Sequence, residues 1–154
     1  MTKMLWGGRF GKAPKELVFD YMSAENISLD QRLVRYDILG SMAHVKMLGE
    51  QGILKKEEAI EIQSALKTVL KSHEAGKFAL KKELEDVHMN VEAEVTKITR
   101  FGKKMHTARS RNDQINLDMR LYLRDELLQV AGLVAEVQES FAKLGKNDVP
   151  MPSY

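Results

Sequence analysis

Two arginines and several small polar residues stand directly before the longest apolar-periodic segment of this chain, in the stretch His106–Gln114. The unpaired N–H groups and the positive dipole at the start of a helix favour a carboxylate or phosphate there. Arg109 and Arg111 could add forked, charge-assisted hydrogen bonds to such a group. The alternative is helix capping, to which Ser110, Asn112 and Asp113 are suited. Capping does not explain two guanidiniums beside a positive dipole, so the stretch predicts an anion-binding site.

A second polar segment lies upstream, from Asp86 to Glu92. His88 and Glu92 are four residues apart, and Asp86 precedes them, a spacing that could hold a divalent cation on a helix. There is no second histidine and no H-E-x-x-H pattern, so the segment predicts no metal site. Taken alone, His88 and Asn90 are expected to lie on a hydrogen-bonded polar face of a helix.

Helical spacing of apolar residues organises the chain upstream of residue 100. It predicts three helices, bounded by Asp30 and Gly49–Gly52, by Lys55 and His73, and by Asp86 and Thr99. Val91, Val95 and Ile98 share one face of the third helix, and Gly102 is expected to end it. The glycine-rich first dozen residues are expected to form an extended arm, followed by a short helix over residues 15–23. No alternating stretch predicts a strand, and the fold class is therefore all-α.

The last predicted helix runs from Asp113 to about Lys143 and carries two apolar stripes. Two stripes indicate burial on more than one side. At 1.5 Å per residue this helix is about 45 Å long, which is more than a compact domain of this size can cover. The pattern therefore favours an oligomer or further helices outside this chain.

Composition excludes several classes of protein. The 154 residues are 44% hydrophobic, and 24 basic against 22 acidic residues leave a formal net charge of +2, which argues against nucleic acid or a membrane surface as a partner. Cysteine is absent, so no disulfide framework or thiolate metal site is possible. No basic-then-apolar leader and no apolar run of membrane-spanning length is present, and the expected location is the cytoplasm.

Several segments resemble the argininosuccinate lyase family, in the order that the family has them. These are Leu5–Phe10, Tyr36–His44, Glu85–Glu92, His106–Gln114 and Met151–Tyr154. The resemblance covers the chain from its beginning to its end, and it suggests the amino-terminal third of a longer lyase. It implies an amino-terminal helical domain over residues 1–112 and the start of a central helix bundle over residues 113–154.

The resemblance also implies a reaction, the reversible elimination of fumarate from argininosuccinate to give arginine, with no metal or organic cofactor. It places seven residues at the substrate: Ser110, Arg111, Asn112, Asp86, His88, Asn90 and Asn26. No catalytic proton-transfer residue is expected in this chain, because in the family the histidine and the serine loop follow after Tyr154. The partners that it implies are the small-molecule substrate and other copies of the same chain, as a homotetramer.

Alternatives remain at this stage: adenylosuccinate lyase, aspartase or fumarase from the same superfamily, or a non-catalytic relative resembling the lens crystallins. Two positions depart from the family pattern. The family usually has glycine where this chain has Ala108, and a methyl group there restricts the backbone before the anion site. Asn26 stands where the family has a serine that contacts substrate, which puts that contact in doubt.

Overall fold

The computed structural model of the protein describes Tyr21 and residues 27–146, and this part of the chain is helical without strands. The all-α prediction is confirmed. The long α-helices are α1 (Val34–Glu50), α2 (Lys56–Glu74), α3 (Val87–Ile98) and α4 (Arg111–Gly145), and residues 27–30 are also helical. Short 3-10 helices, Lys82–Leu84 and Gly102–His106, precede α3 and α4 respectively. The predicted arm, the helix over 15–23 and the site residue Asn26 fall outside the described residues, apart from Tyr21.

The helix ends follow local sequence. Gly52 and Gly76 have φ of +69° and +68° just after α1 and α2, in the left-handed region that glycine enters without a steric cost. At the start of α2 the Glu58 side chain accepts the Lys55 N–H at 3.4 Å. The predicted bounds of α3 agree with the structure, in which Asp86 is the N-cap and Thr99 the C-cap. Gly102 does not end this helix as expected, because it begins the 3-10 helix that follows.

The core lies among α1, α2 and α3. Its fully buried side chains include Val34, Ile38, Val45 and Leu48 of α1, Ile62 and Leu66 of α2, and Val91 and Val95 of α3. Ile98 was expected on the buried face of α3, but it is 52% exposed because the helix ends there. Burial of these aliphatic side chains provides the main driving force that brings the three helices together.

Contacts divide the chain into two compact units, one ending at Met119 and one beginning at Arg120. In the second unit, the large apolar side chains of α4 from Leu123 to Leu144 are all between 49% and 69% exposed. The domain boundary between residues 112 and 113 stays a prediction. Among the described helices, none combines the length and the apolar character needed to cross a membrane.

Candidate functional site

Two polar segments that are separated in the sequence meet at the start of α3. Asp86 is the N-cap of this helix, and its side chain accepts the Met89 N–H at 2.7 Å. Its second carboxylate oxygen accepts a hydrogen bond from the Arg111 guanidinium. Asp30 accepts the neighbouring Val87 N–H at 3.1 Å. Two carboxylates therefore satisfy the positive end of α3, and one of them also orients Arg111.

Both arginines beside the start of α4 have carboxylate partners within the chain. Asp86 compensates Arg111 from within the chain, and Arg109 interacts electrostatically with the buried carboxylate of Asp118. Arg109 donates a hydrogen bond to Ser41 Oγ at 3.2 Å, while its other terminal nitrogen is buried and has no hydrogen-bond partner among the described residues. The two guanidiniums are thus oriented by protein groups, and their positions alone do not require a ligand.

The start of α4 is capped by Ser110, whose Oγ accepts the Asn112 N–H at 3.2 Å. Asn112 and Asp113 lie inside the first turn, so Ser110 is the cap among the three residues suited to that role. Asn112 is exposed, and its side-chain amide makes none of the hydrogen bonds found within residues 27–146. Its amide is therefore available to a ligand beside the Asp86–Arg111 pair.

His88 is hydrogen-bonded, as the sequence predicted, and it is buried, with only 6% of the residue exposed. Its Nδ1 lies 2.8 Å from Asp37 Oδ1 and 3.8 Å from Asp118 Oδ2, and both aspartates are fully buried. Burial lowers the pKa of His88, but the hydrogen bond to Asp37 and the charges of nearby carboxylates outweigh it, so the pKa is raised above its ordinary value.

Gln114 connects this buried cluster to the turn before α4. Its amide nitrogen donates to Asp37 Oδ1, and its oxygen lies 2.9 Å from His106 Nε2. Asp118 is one helical turn further along α4, and neither of its carboxylate oxygens receives a hydrogen bond from the described residues. Burial and the charge of Asp37 raise the pKa of Asp118 to about 7.

Sequence reasoning missed Asp37, Gln114 and Asp118 as members of the site. A signal was present, because Asp37 shares the inner face of α1 with buried Val34 and Ile38. A polar residue on the apolar face of a helix is costly to bury. Such residues are therefore usually hydrogen-bonded to one another. Helical spacing alone does not identify their partners.

Asn90 is buried, and within the described residues its side-chain amide forms hydrogen bonds with backbone groups only. Its Oδ1 accepts the Lys81 N–H at 2.7 Å, and its amide donates to the carbonyls of Lys81 and Asp86 at 3.2 and 2.8 Å. Asn90 thus ties the segment before α3 to the helix itself. Its contact with substrate stays a prediction, as does that of Asn26, which lies outside the described residues.

Donor atoms of Asp37, His88 and Asp118 lie within 4.8 Å of one another, a spacing compatible with a cation. Of the residues whose sequence spacing was considered for a cation, only His88 belongs to this cluster. Asp37 Oδ1 already accepts two hydrogen bonds, and the Arg109 guanidinium and the His88 imidazole supply positive charge beside the two carboxylates. We therefore assign the cluster to internal charge balance and not to metal binding.

Backbone strain is found directly before both polar segments. Glu85 and Ala108 have φ of 66° and 57°, and they are the non-glycine residues with positive φ in the described part of the chain. Glu85 precedes Asp86, and Ala108 precedes Arg109. A Cβ atom in the left-handed region costs about 1–2 kcal/mol, so the surrounding contacts must hold these turns in place. The strain at Ala108 explains why glycine suits this position.

Comparison with known proteins identifies a family and relatives that match nearly the whole chain. The model of a family described as lyase matches residues 10–154, and the chain belongs to that family. Argininosuccinate lyase of Pelotomaculum thermopropionicum is 50% identical over 157 residues, covering 100% of this chain and 34% of the relative. Those of Ruminiclostridium cellulolyticum and Desulforamulus reducens are 47% and 48% identical over 153 residues, covering 97% of this chain and 33% of each relative. The resemblance is confirmed, and the chain spans about a third of the length of these relatives.

Proposed function

We propose that the protein is an argininosuccinate lyase, which splits argininosuccinate reversibly into arginine and fumarate, and that this chain supplies part of its carboxylate-binding site. The relatives named above carry that activity in their names. The observation that supports a site here is the Asp86–Arg111 pair, which joins two distant motifs beside the exposed, unbonded amide of Asn112.

The chemistry of the substrate suits these side chains. Argininosuccinate carries three carboxylates and one guanidinium, and the carboxylates need cationic and amide donors. Asp86 holds the Arg111 guanidinium before substrate arrives, so less conformational entropy is lost on binding. Ser110 and Asn112 stand on either side of Arg111 at the positive end of α4, where the helix dipole adds to the attraction.

Elimination begins when a proton is removed from the carbon next to a carboxylate, which places a second negative charge on that carboxylate in the transition state. Donors that already point at this position stabilise the charge without reorganisation. We assign this role to Arg111 and Asn112, with His88 as a nearby positive charge. We assign proton transfer to none of these residues.

We further propose that the protein works as a homotetramer in the cytoplasm. The apolar side chains of α4 between residues 123 and 144 support an oligomer, because their exposure would be unfavourable in water. Sedimentation equilibrium of the protein at full length is expected to give four subunits. A monomer at micromolar concentration would contradict this assignment.

Asn112 gives the sharpest test of the site. We expect Asn112→Leu in the full-length protein to lower turnover about a hundredfold, the typical effect of deleting one transition-state donor. Ser110 and not Asn112 caps the helix, so the free energy of unfolding should change by no more than about 0.5 kcal/mol. Turnover, from fumarate absorbance, and melting temperature are measured on the same preparation.

The matched control is Asn116→Leu, which changes another exposed asparagine on the same helix. Its side chain donates to the Asn112 carbonyl at 2.9 Å, so this variant loses a helix contact without removing the proposed donor. Near-normal turnover is expected for it. If Asn112→Leu also turned over normally, the proposed substrate contact of Asn112 would be wrong.

A further inference from the structure

We infer that Asp37 is a positioning residue of this site, which holds His88 as an imidazolium in one fixed ring orientation. This inference rests on the proposed function, because it assigns the resulting positive charge to the binding of an anionic substrate. Asp37 lies on α1, and His88 lies 51 positions further along the chain on α3. None of the family motifs described above identifies a partner for His88.

The hydrogen bond fixes which ring nitrogen carries a proton. A carboxylate oxygen has no hydrogen to donate, so the 2.8 Å contact between His88 Nδ1 and Asp37 Oδ1 requires a proton on Nδ1. With both residues at most 6% exposed, water does not compete for this bond. The ring is therefore held with Nδ1 toward α1, and protonation of the imidazole adds its second N–H at Nε2.

Asp37 is itself held in place from α4. Gln114 donates to the same Oδ1 atom, and the amide oxygen of Gln114 lies 2.9 Å from His106 Nε2. That oxygen can only accept, so His106 carries a proton on Nε2 and the orientation of the Gln114 amide is determined. The aspartate is thus fixed by a donor from α4, Gln114, whose own amide is oriented by His106.

The charges around His88 favour its protonated form. Asp37 faces it from α1, Asp118 from α4, and Asp86 lies on the same helix as His88. Asp30 also interacts with it electrostatically, while Arg109 lies against Asp118 and opposes that effect. Four carboxylates therefore surround one imidazole, and Asp37 is the one in direct hydrogen-bond contact.

A positively charged His88 in a fixed orientation would favour the binding of an anionic substrate. His88 interacts electrostatically with Asp86, the residue that orients Arg111, and we assign its charge to the same carboxylate site as the guanidinium. The substrate carries three carboxylates, and a positive group that is already oriented binds them with a smaller loss of entropy. Loss of the proton from His88 should therefore weaken substrate binding more than turnover.

The first experiment follows protonation directly. Full-length protein is labelled with 13C at histidine Cε1 and titrated between pH 5 and 9, with the His88 resonance assigned from its absence in a His88→Gln variant. We expect His88 to remain protonated above its ordinary range, and Asp37→Asn to move its midpoint down by about one pH unit, a tenfold change in proton affinity. A wild-type midpoint at or below 6.5 would overturn the inference, whether or not Asp37→Asn folds.

The second experiment measures lyase kinetics at pH 6 and pH 8. Asparagine keeps an acceptor oxygen for His88 but removes the charge, so Asp37→Asn should lower kcat/KM about tenfold at pH 8, mainly through KM. The loss should shrink to about threefold or less at pH 6, because a midpoint lowered by about one pH unit leaves more of the imidazole protonated there than at pH 8. The control is Glu50→Gln, which removes an exposed carboxylate paired with Lys46, and it should change neither value.

The two arms separate the possible failures. An equal loss of kcat/KM at both pH values would mean that Asp37 only supports the fold, and it would overturn the positioning role. A wild-type protein without lyase activity would refute the proposed function and the proposal that the His88 charge binds substrate. The titration would still show whether Asp37 keeps His88 protonated.

Discussion

Replacing Asp118 by asparagine should stabilise the protein at alkaline pH. Asp118 is fully buried on α4, receives no hydrogen bond from the described residues and lies near a second buried carboxylate, Asp37. Its ionised form is therefore costly in the folded state, which raises its pKa to about 7. Asparagine has the same shape and resembles the neutral form, so it avoids the cost of ionisation.

The sign follows from proton binding. Because the folded protein binds the Asp118 proton more tightly than the unfolded chain does, this group stabilises the fold at low pH. That contribution is lost as the pH rises from the ordinary pKa of 3.8 through about 7. At about 1.36 kcal/mol per pH unit the complete loss has an upper bound of about 4 kcal/mol, of which about 2 develops between pH 5 and 7, because the group is only half ionised at pH 7. The polarisable surroundings and the nearby Arg109 reduce this, and we expect a net gain of about 1–2 kcal/mol for Asp118→Asn at pH 8.

The assay is urea unfolding of wild type and Asp118→Asn at pH 5 and pH 8, at one subunit concentration so that assembly contributes equally. The difference in unfolding free energy should be small at pH 5 and should favour the variant at pH 8. Asp113→Asn, an exposed change on the same helix, should show no such growth with pH. If Asp118→Asn were less stable than wild type at pH 8, the ionised carboxylate would be a net stabilising group, and this explanation would be refuted.

Further predictions concern the backbone and the cluster. Ala108→Gly should raise the unfolding free energy by about 0.5–1 kcal/mol, since relief of the positive φ exceeds the added entropy of the unfolded chain. The control is Ala75→Gly, at a residue with φ of −81°, which should lower the unfolding free energy. A lower unfolding free energy in both variants would contradict the strain at Ala108. Gly102→Ala should lower the urea midpoint, because its Cβ would stand 2.6 Å from Thr96 Cα and the overpacking costs about 1–3 kcal/mol; an unchanged midpoint would disprove that clash. Dialysis against a chelator should leave lyase turnover unchanged, and a loss restored by added zinc or another divalent cation would show that the buried cluster binds metal after all.

Features of this protein that depend on nearest neighbours were accessible from the sequence. Apolar spacing located α1 through α4 to within a few residues, because a helix forms its hydrogen bonds between residues four apart and buries one stripe. Gly52 and Gly76 marked helix ends, since few other residues enter the left-handed region there. The position of Ser110 before α4 was likewise visible as a cap, although the competing caps inside the same polar stretch were not excluded.

Tertiary structure alone decided how the site is connected. Arg111 meets Asp86 across 25 positions, His88 meets Asp37 across 51, and Gln114 meets Asp37 across 77. The apolar spacing that identifies each helix contains no information on which polar residue of one helix faces which residue of another, because this depends on how α1, α3 and α4 pack. Burial of Asp37, His88 and Asp118 also depends on the tertiary structure. Because water is excluded from these side chains, their charges interact more strongly than they would at the surface.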